Sequence, residues 1–257
     1  MRNLRTRRRA AKYCRTVIPA TFELIHVSLT YKGLIHNKMK SFKTSLAIII
    51  VALLNHLTVQ AQKTMSEGSL VYNISIQTGS KEPNMADMLD GATTTIYIKG
   101  NQTRSEMVSG LGSESTIHDA RTGTGVILKD YSGQKLMITL TKDDWEKKNK
   151  KYEGITYELI NETTTIAGYD CKKAIAKLPD GTSFAVYYSP DLKVANKEYD
   201  YPFKTLPGLP MQYEWQAGKM KFKYTLSKVS FDPVPSSKFE IPKSGYRILS
   251  YEETQKK

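Results

Sequence analysis

The stretch Leu70-Val71-Tyr72-Asn73-Ile74-Ser75-Ile76-Gln77 places apolar side chains at every second position. A later stretch, Lys219-Met220-Lys221-Phe222-Lys223-Tyr224-Thr225-Leu226, alternates polar and apolar side chains in the same way. Because successive side chains of a strand point to opposite faces, a period of two is typical of a strand with one buried and one solvated face. These stretches therefore predict β-strands near both ends of the region that follows residue 62.

Shorter stretches of the same kind fill the chain between these two. Glycine-containing and proline-containing turns such as Gly100-Asn101 and Pro179-Asp180-Gly181 separate them, and such short turns join neighbouring strands antiparallel. We predict a mainly β domain, a single antiparallel half-open β-barrel or strongly curved sheet with few short helices. The further predicted strands are 93–99, 102–108, 114–118, 126–129, 135–140, 155–160, 172–178 and 182–188.

Two short segments are predicted to be helical. Residues 84–89 would place Met85, Met88 and Leu89 on one side, and residues 143–152 form a charged segment that Asp143 or Asp144 would cap. Four lysines within 147–151 have acidic neighbours, which favours a solvated face over an anion-binding patch.

Proline marks three segments towards the C-terminus, at 201–203, 206–211 and 232–235. Proline lacks a backbone N–H, so we predict no central strand in these segments. The segment 206–211 also carries Leu206, Leu209 and Met211, which would be costly to leave in water. We expect it to cover either the core or a ligand.

The formal net charge of +13 is concentrated at the N-terminus. Residues 1–38 contribute nine basic and one acidic side chain, and residues 39–61 add two lysines, so these contribute +8 and +2 and leave +3 for the rest. A nearly neutral domain does not favour a polyanionic partner, and we predict no nucleic-acid binding.

Residues 39–61 have the three parts of a secretory signal peptide: a basic start, nine apolar residues at 46–54, and Val59-Gln60-Ala61 before a cleavage between Ala61 and Gln62. The apolar run is shorter than the roughly 20 residues of a membrane-spanning helix. No cysteine follows the cleavage site directly to accept a lipid. We predict a periplasmic or secreted product that contacts the membrane only through the signal peptide.

The expected organisation has three parts. Residues 1–38 are either a basic arm or, as we favour, translated upstream sequence with the start at Met39, because a nucleic-acid arm has no evident use on an exported chain. Residues 39–61 are the signal peptide, and 62–257 form one β-rich domain with its core at about 68–249.

Side chains for catalysis are scarce after residue 62. One histidine, His118, and one cysteine, Cys171, are too few for a His/Cys metal cluster, and no phosphate-binding glycine loop or nucleophile elbow occurs. We predict no metal, no cofactor, no catalytic residues and no enzyme activity, with Cys171 as a buried, inert thiol. A hydrolase would need a carboxylate pair such as Glu106 with Asp119 or Asp130.

Aromatic residues offer a positive signal. Of 16 tyrosines, all but Tyr13 and Tyr31 follow residue 62. Several of them are concentrated in the region 187–215, which also contains Trp215. Tyrosine joins an apolar ring to a polar tip, which suits a half-wet cavity wall as well as ordinary packing.

Four segments carry a resemblance to a known family. The decisive one is Thr165-Ile166-Ala167-Gly168-Tyr169-Asp170-Cys171-Lys172-Lys173-Ala174, followed by residues 96–106, 203–210 and 239–246. The chain resembles the exported domain-of-unknown-function 4412 family of Gram-negative bacteria, related to GLPGLI-type proteins and grouped with the LolA-like folds. The resemblance implies a curved antiparallel sheet that holds a lipid or other apolar group, and a closing strand over 239–246. It assigns a structural motif to Gly168, Tyr169, Cys171, Ala174, Pro207 and Gly208.

The sequence supports two functional hypotheses. The first is an exported, non-enzymatic envelope protein that binds an apolar or amphipathic, lipid-like ligand on the concave face of the sheet. Its candidate ligand contacts are Met85, Met88, Leu89, Leu206, Leu209, Met211 and Trp215. The second is a structural or interaction module of the envelope that engages a protein or glycan through edge strands and tyrosine-rich loops. No particular protein partner is predicted.

Overall fold

The structure, a computed structural model, describes residues 62–78, 89–218 and 220–256. Within these ranges the helices are α1 (Lys142–Asn149) and α2 (Tyr251–Gln255), and 3₁₀ turns lie at Lys150–Tyr152, Lys197–Tyr199, Tyr201–Phe203 and Ser236–Phe239. The strands are β1 (Lys63–Met65), β2 (Glu67–Thr78), β3 (Thr93–Lys99), β4 (Gln102–Ser109), β5 (Gly112–Asp119), β6 (Thr124–Tyr131), β7 (Gln134–Leu140), β8 (Thr156–Ile166), β9 (Tyr169–Lys177), β10 (Ser183–Ser189), β11 (Leu192–Val194), β12 (Leu209–Ala217), β13 (Met220–Ser230) and β14 (Arg247–Ser250). The signal peptide and the boundaries predicted before residue 62 lie outside the described residues.

One large sheet dominates the described part of the chain. Its twelve strands follow the order β14-β7-β6-β5-β4-β3-β2-β13-β12-β10-β9-β8. Strands β2 to β7 form one antiparallel meander, β8 to β13 without β11 form a second, and antiparallel pairing of β2 with β13 joins the two. The predicted mainly β fold, a single curved antiparallel sheet with few helices, is confirmed. The parallel pairs β14 with β7 and β1 with β11 depart from the antiparallel pattern.

The alternation that predicted the strands also sets which side chains are buried. In β3 the odd positions are half-buried, while Thr94, Ile96 and Ile98 are buried. The strand predicted from residue 220 extends to Ser230, with a register shift between Leu226 and Lys228. A fixed register keeps one set of side chains on one face of the sheet across many strands.

The proline prediction is wrong for part of the segment 206–211. Strand β12 begins at Leu209, contains Pro210 and lies between β10 and β13, so Pro210 is in a central strand. The pairing of β10 with β12 shifts between Tyr187 and Tyr188, where Tyr187 lies opposite Gln212 and Tyr188 opposite Pro210. Proline is tolerated inside a sheet at such a bulge, because the regular ladder is interrupted there.

The C-terminal prediction and the helix-cap prediction also need correction. The closing strand predicted over 239–246 is instead the end of a 3₁₀ turn and irregular chain, and β14 follows at Arg247–Ser250. Helix α1 is capped by Thr141 rather than by Asp143 or Asp144. Thr141 accepts from the backbone N–H of Asp144, whose carboxylate accepts from the backbone N–H of Thr141, so Asp144 completes a capping box from inside the helix.

Helix α1 belongs to a connection that crosses the sheet. It leaves β7, next to one edge, and leads to β8, which forms the opposite edge. Trp145 of α1 stacks on His118 of β5 with ring centroids 3.9 Å apart, and Tyr152 lies 5.7 Å from the ring of Trp215 on β12. The connection therefore covers the same sheet face at both of these points.

Candidate functional site

A cavity of about 340 Å³ lies between this sheet face and the segments that cover it. Strands β3, β4, β5, β10, β12 and β13 form one side, and the 3₁₀ turns near residues 152 and 199–203 form the other. The lining residues are Thr94, Ile96, Ser105, Met107, Glu114, Thr116, Tyr152, Phe184, Tyr199, Asp200, Pro202, Phe203, Tyr213, Trp215 and Tyr224.

Strand register explains why there is space at this point. Ser105 of β4 lies directly opposite both Ile96 of β3 and Thr116 of β5, so two small side chains adjoin on neighbouring strands. On the other half of the sheet, Tyr213 lies opposite Tyr224 and their large rings rise from the same face. Small side chains beside tall aromatic ones leave a hollow in the sheet surface.

Six aromatic rings form a connected wall of this cavity. Neighbouring ring centroids lie 4.7 Å (Tyr224 and Tyr213), 4.7 Å (Tyr213 and Phe203), 6.2 Å (Phe203 and Phe184), 5.3 Å (Phe184 and Trp215) and 5.7 Å (Trp215 and Tyr152) apart. Rings at such separations pack favourably on one another, so the wall is preorganised. It presents both apolar faces and tyrosine hydroxyl groups.

Asp200 is a carboxylate in this largely aromatic lining. It lies between two 3₁₀ turns and precedes Tyr201–Phe203, yet its side chain does not cap that turn. Asp200 keeps some accessible surface because it lines the cavity, but loss of hydration raises the pKa of its carboxyl group to about 7. The charge of Lys148 opposes this effect and lowers the pKa.

Charged groups also surround the cavity. The Lys151 ammonium lies 4.8 Å from the ring centroid of Tyr152 and 4.9 Å from that of Trp215. Glu114, on the opposite wall, forms an ion pair of 3.2 Å with Lys129. The lysines of 147–151, predicted as a solvated face, are exposed on the crossing connection, and two of them also lie over aromatic rings.

A second hollow of about 450 Å³ adjoins the first at the ends of β10 and β12. Phe184 and Trp215 line both spaces, and Lys151 and Asp180 contribute charged groups to the second. These two rings therefore lie between the aromatic cavity and the second hollow.

The predicted ligand contacts fall in three places. Trp215 lines the cavity, as a binding role requires. Leu206, Leu209 and Met211 belong to hydrophobic core clusters with exposed fractions of 7%, 2% and 0%, so the segment 206–211 covers the core. Leu89 is half-buried and is not among the residues that line the cavity. Met85 and Met88 lie outside the described residues.

The predicted structural motif forms the turn between β8 and β9. Ala167 and Gly168 have φ values of +50° and +81°, which is the left-handed backbone of a tight hairpin. Tyr169 packs against the core cluster that contains Cys171, and Ala174 is fully buried in another cluster. Burial also raises the pKa of the Cys171 thiol to about 11, so the thiol stays protonated near neutral pH.

Gly208 allows a close approach between two parts of the chain. A Cβ atom at this position would lie 2.2 Å from the carbonyl oxygen of Ser189 and 2.8 Å from the ring of Tyr188. Only glycine fits there without displacement. Pro207 precedes this contact and follows the buried Leu206.

Several residues of the site were not predicted, foremost Asp200, Ser105 and Thr116. The sequence Tyr199-Asp200-Tyr201-Pro202-Phe203 does contain a signal, a single acid inside an aromatic segment. The roles of Ser105 and Thr116 depend on strand register, which no local pattern reveals.

The carboxylates of the hydrolase alternative are not brought together as a pair. Glu106 forms an ion pair of 3.1 Å with Arg104, and Asp130 forms one of 3.1 Å with Lys135. Asp119 accepts a hydrogen bond from the backbone N–H of Arg121 and lies opposite Gln102, four residues along β4 from Glu106. Because four residues along a strand span about 13 Å, Asp119 and Glu106 are not neighbours in the sheet.

Two features are absent from the described residues. No group of three or more His, Cys, Asp or Glu side chains in these ranges is placed to hold a metal ion. None of the helices found there has the length and apolar character needed to cross a membrane.

Comparisons with known proteins give only distant structural likenesses. No protein-family model matches the sequence, and no curated protein matches it. Solved structures with some similarity include PNGF-II, at 11% identity and a TM-score of 0.37 over 72% of this chain and 32% of that one. MucB follows at 13% identity and 0.37 over 74% and 62%, and the Mycobacterium tuberculosis lipoprotein LppX at 9% identity and 0.36 over 66% and 89%. At these values the likenesses carry no functional argument, and the LolA-like and family resemblances stay predictions.

Proposed function

We propose that this chain is an exported, non-enzymatic envelope protein that binds an apolar or amphipathic, lipid-like ligand in the cavity next to the aromatic wall. The observation that supports this proposal best is the cavity itself, about 340 Å³ in volume and lined by six connected rings. Small-molecule sites usually measure about 300–1,000 Å³ and combine apolar walls with a few polar groups. A volume at the low end favours a single alkyl chain or a small ring system.

The cavity is a better candidate for binding than the predicted segment 206–211. Leu209 and Met211 are packed against other core side chains and have no surface left for a ligand. Trp215, Tyr213 and Phe203, in contrast, face a space that a ligand can fill. Transfer of an alkyl chain into that space would contribute about 0.8 kcal/mol for each buried CH₂ group.

Filling the cavity tests the proposal. Titration with the apolar fluorophore N-phenyl-1-naphthylamine should give saturable emission enhancement with the native protein. Thr116→Phe places a ring in the cavity and should weaken binding at least about tenfold. Thr139→Phe, an exposed position on β7, is the matched control and should leave binding unchanged. Equal binding by all three proteins, or none by the native protein, would contradict the proposal.

A second candidate function, an interaction module, has one observation in its favour. Both edge strands of the large sheet expose an aliphatic side chain, Leu159 of β8 at 60% and Ile248 of β14 at 65%. An exposed edge strand can pair with a strand of another chain. Self-association or partner capture that Leu159→Lys or Ile248→Lys abolishes would support this function, and a monomer with no edge-dependent binding would contradict it.

A further inference from the structure

The carboxyl group of Asp200 makes no contact with the described residues that would explain its position in the fold. Its side chain does not cap the turn that it precedes, and no hydrogen bond or ion pair with a described residue involves its carboxylate. A carboxylate that loses hydration without gaining a partner costs free energy, and most buried charges are paired. Its retention on a cavity wall suggests that the missing partner is a ligand.

The charged residues that line the cavity indicate whether that ligand is positively or negatively charged. Asp200 and Glu114 are the acidic residues among the residues that line the cavity, and none of these lining residues is Lys or Arg. Glu114 is already paired with Lys129, so the unpaired charge belongs to Asp200. A cationic group would complement it, whereas an anionic group would add a second negative charge.

The aromatic wall favours the same sign of charge. The faces of tyrosine and tryptophan rings carry negative electrostatic potential and attract ammonium groups. The protein already shows this at the edge of the wall, where the Lys151 ammonium lies within 4.8 Å of the Tyr152 centroid and 4.9 Å of the Trp215 centroid. The stacked pair Tyr213 and Tyr224 lines the cavity further along the same wall.

We propose that the cavity selects amphipathic organic cations, with the ammonium group paired to Asp200 and the apolar chain against the aromatic wall. This inference rests on the proposed function, because it names the ligand class of the same cavity. An alkyl amine or quaternary ammonium supplies both parts in one molecule. The pairing is an electrostatic contact and involves no covalent step.

The groups around Asp200 determine how binding depends on pH. Lys148 on α1 supplies the nearby positive charge, and Glu114 lies on the opposite wall. Loss of hydration raises the pKa of six nearby tyrosines, and the charge of Asp200 raises it further; they are Tyr72, Tyr152, Tyr157, Tyr199, Tyr213 and Tyr224. These phenols stay neutral near pH 7, which leaves Asp200 to change charge in that range. A cation binds the ionised form, so its affinity should rise as the pH increases through about 7.

Head-group comparison at constant chain length tests the inference. The probes are dodecyltrimethylammonium, dodecanol and dodecyl sulfate, titrated by calorimetry with the two ionic amphiphiles below their micelle concentrations and dodecanol below its solubility limit. The native protein should bind the cation at least about tenfold more tightly than the alcohol, and the sulfate most weakly. Asp200→Asn should reduce the preference for the cation to what the aromatic wall alone provides and leave dodecanol affinity within about twofold. Asp170→Asn, at an exposed position on β9, is the control and should preserve the preference.

A second measurement on the native protein avoids any effect of substitution on folding. Affinity for dodecyltrimethylammonium should increase between pH 6 and pH 8 with release of a proton, while dodecanol affinity stays constant. Equal affinity for all three amphiphiles, preference for the sulfate, or an unchanged preference in Asp200→Asn would overturn the inference and leave the proposed function standing. Absence of binding by all three would instead contradict the proposed function and the inference together.

Discussion

The buried hydroxyl group of Tyr72 donates a hydrogen bond to the main-chain carbonyl of Pro210 across 2.8 Å. Tyr72 lies on β2 and Pro210 on β12, and β13 separates these strands in the sheet. The bond therefore reaches across one strand to the bulge where β12 meets β10. It fixes the start of β12, the strand that also carries Tyr213 and Trp215 into the cavity.

Tyr72→Phe should lower the free energy of unfolding by about 1–3 kcal/mol, because the Pro210 carbonyl loses a buried donor. Urea denaturation monitored by circular dichroism gives this value. The matched control is Tyr187→Phe, which removes an exposed hydrogen bond to Glu162 and should cost less than about 0.5 kcal/mol. Equal losses in the two variants would show that the Pro210 contact has no special importance.

Gly208→Ala should be more destabilising than Gly168→Ala. At Gly208 the added methyl group meets the Ser189 carbonyl oxygen at 2.2 Å, so the chain must shift, at a cost of about 2 kcal/mol or more. At Gly168 the new side chain meets nothing within 4 Å, and the strain of φ +81° alone should cost about 1 kcal/mol. Comparison of urea midpoints decides the order, and a reversed order would contradict the close approach at Gly208.

Lys148→Met should raise the pKa of the Asp200 carboxyl group above its value of about 7. Loss of hydration already raises this pKa, and the positive charge of Lys148 is the opposing influence that the substitution removes. Carboxyl-carbon NMR titration of native and variant protein measures the change. Lys147→Met, on the same helix but without this effect on Asp200, is the control. A shift to lower pH in Lys148→Met would contradict the arrangement.

The contribution of His118 to stability should decrease in mild acid. Its ring is stacked on Trp145, neither ring nitrogen has a hydrogen-bond partner among the described residues, and burial lowers its pKa. The unfolded chain therefore binds a proton at a higher pH than the folded one. The contribution of the neutral ring is complete above about pH 6.5 and is lost as the pH falls, by at most about 1.4 kcal/mol per pH unit.

Urea denaturation of native protein and His118→Gln between pH 7.5 and pH 5 isolates this contribution. Asp200 contributes with the opposite sign, because its raised pKa favours the folded state at lower pH, but it does so equally in both proteins. The difference in unfolding free energy between the two proteins should therefore shrink as the pH falls. A difference independent of pH would contradict the buried neutral state of His118.

Local patterns predicted the strands well, and long-range pairing accounts for most of what they missed. Alternation and turn residues located β3 at residues 93–99 because both act over a few residues. The place of Pro210 in a central strand depends on a bulge against β10, a contact with residues more than 20 positions away along the chain. The closing strand failed similarly, since Arg247–Ser250 is a strand only through its parallel pairing with β7.

The site was predictable only in its aromatic character. The abundance of tyrosine indicated a half-wet wall, and Trp215 does line the cavity. The hollow itself results from the adjacency of Ser105 and Thr116 across two strands, which is a property of register. The lack of a hydrogen-bond partner for the Asp200 carboxylate likewise depends on segments that are distant in sequence, because sequence neighbours do not determine which groups pair with a carboxylate.

The location of a bound alkyl chain tests the central claim most directly. Trp215 lines the cavity, whereas Trp145 stacks on His118 and is not a lining residue. Single-tryptophan variants, Trp145→Phe and Trp215→Phe, can each be titrated with a dodecyl amphiphile brominated along its chain, since bromine quenches tryptophan emission on contact. We expect saturable quenching of Trp215 and little of Trp145. Equal quenching of both, quenching of Trp145 alone, or no quenching at all would contradict ligand binding in this cavity.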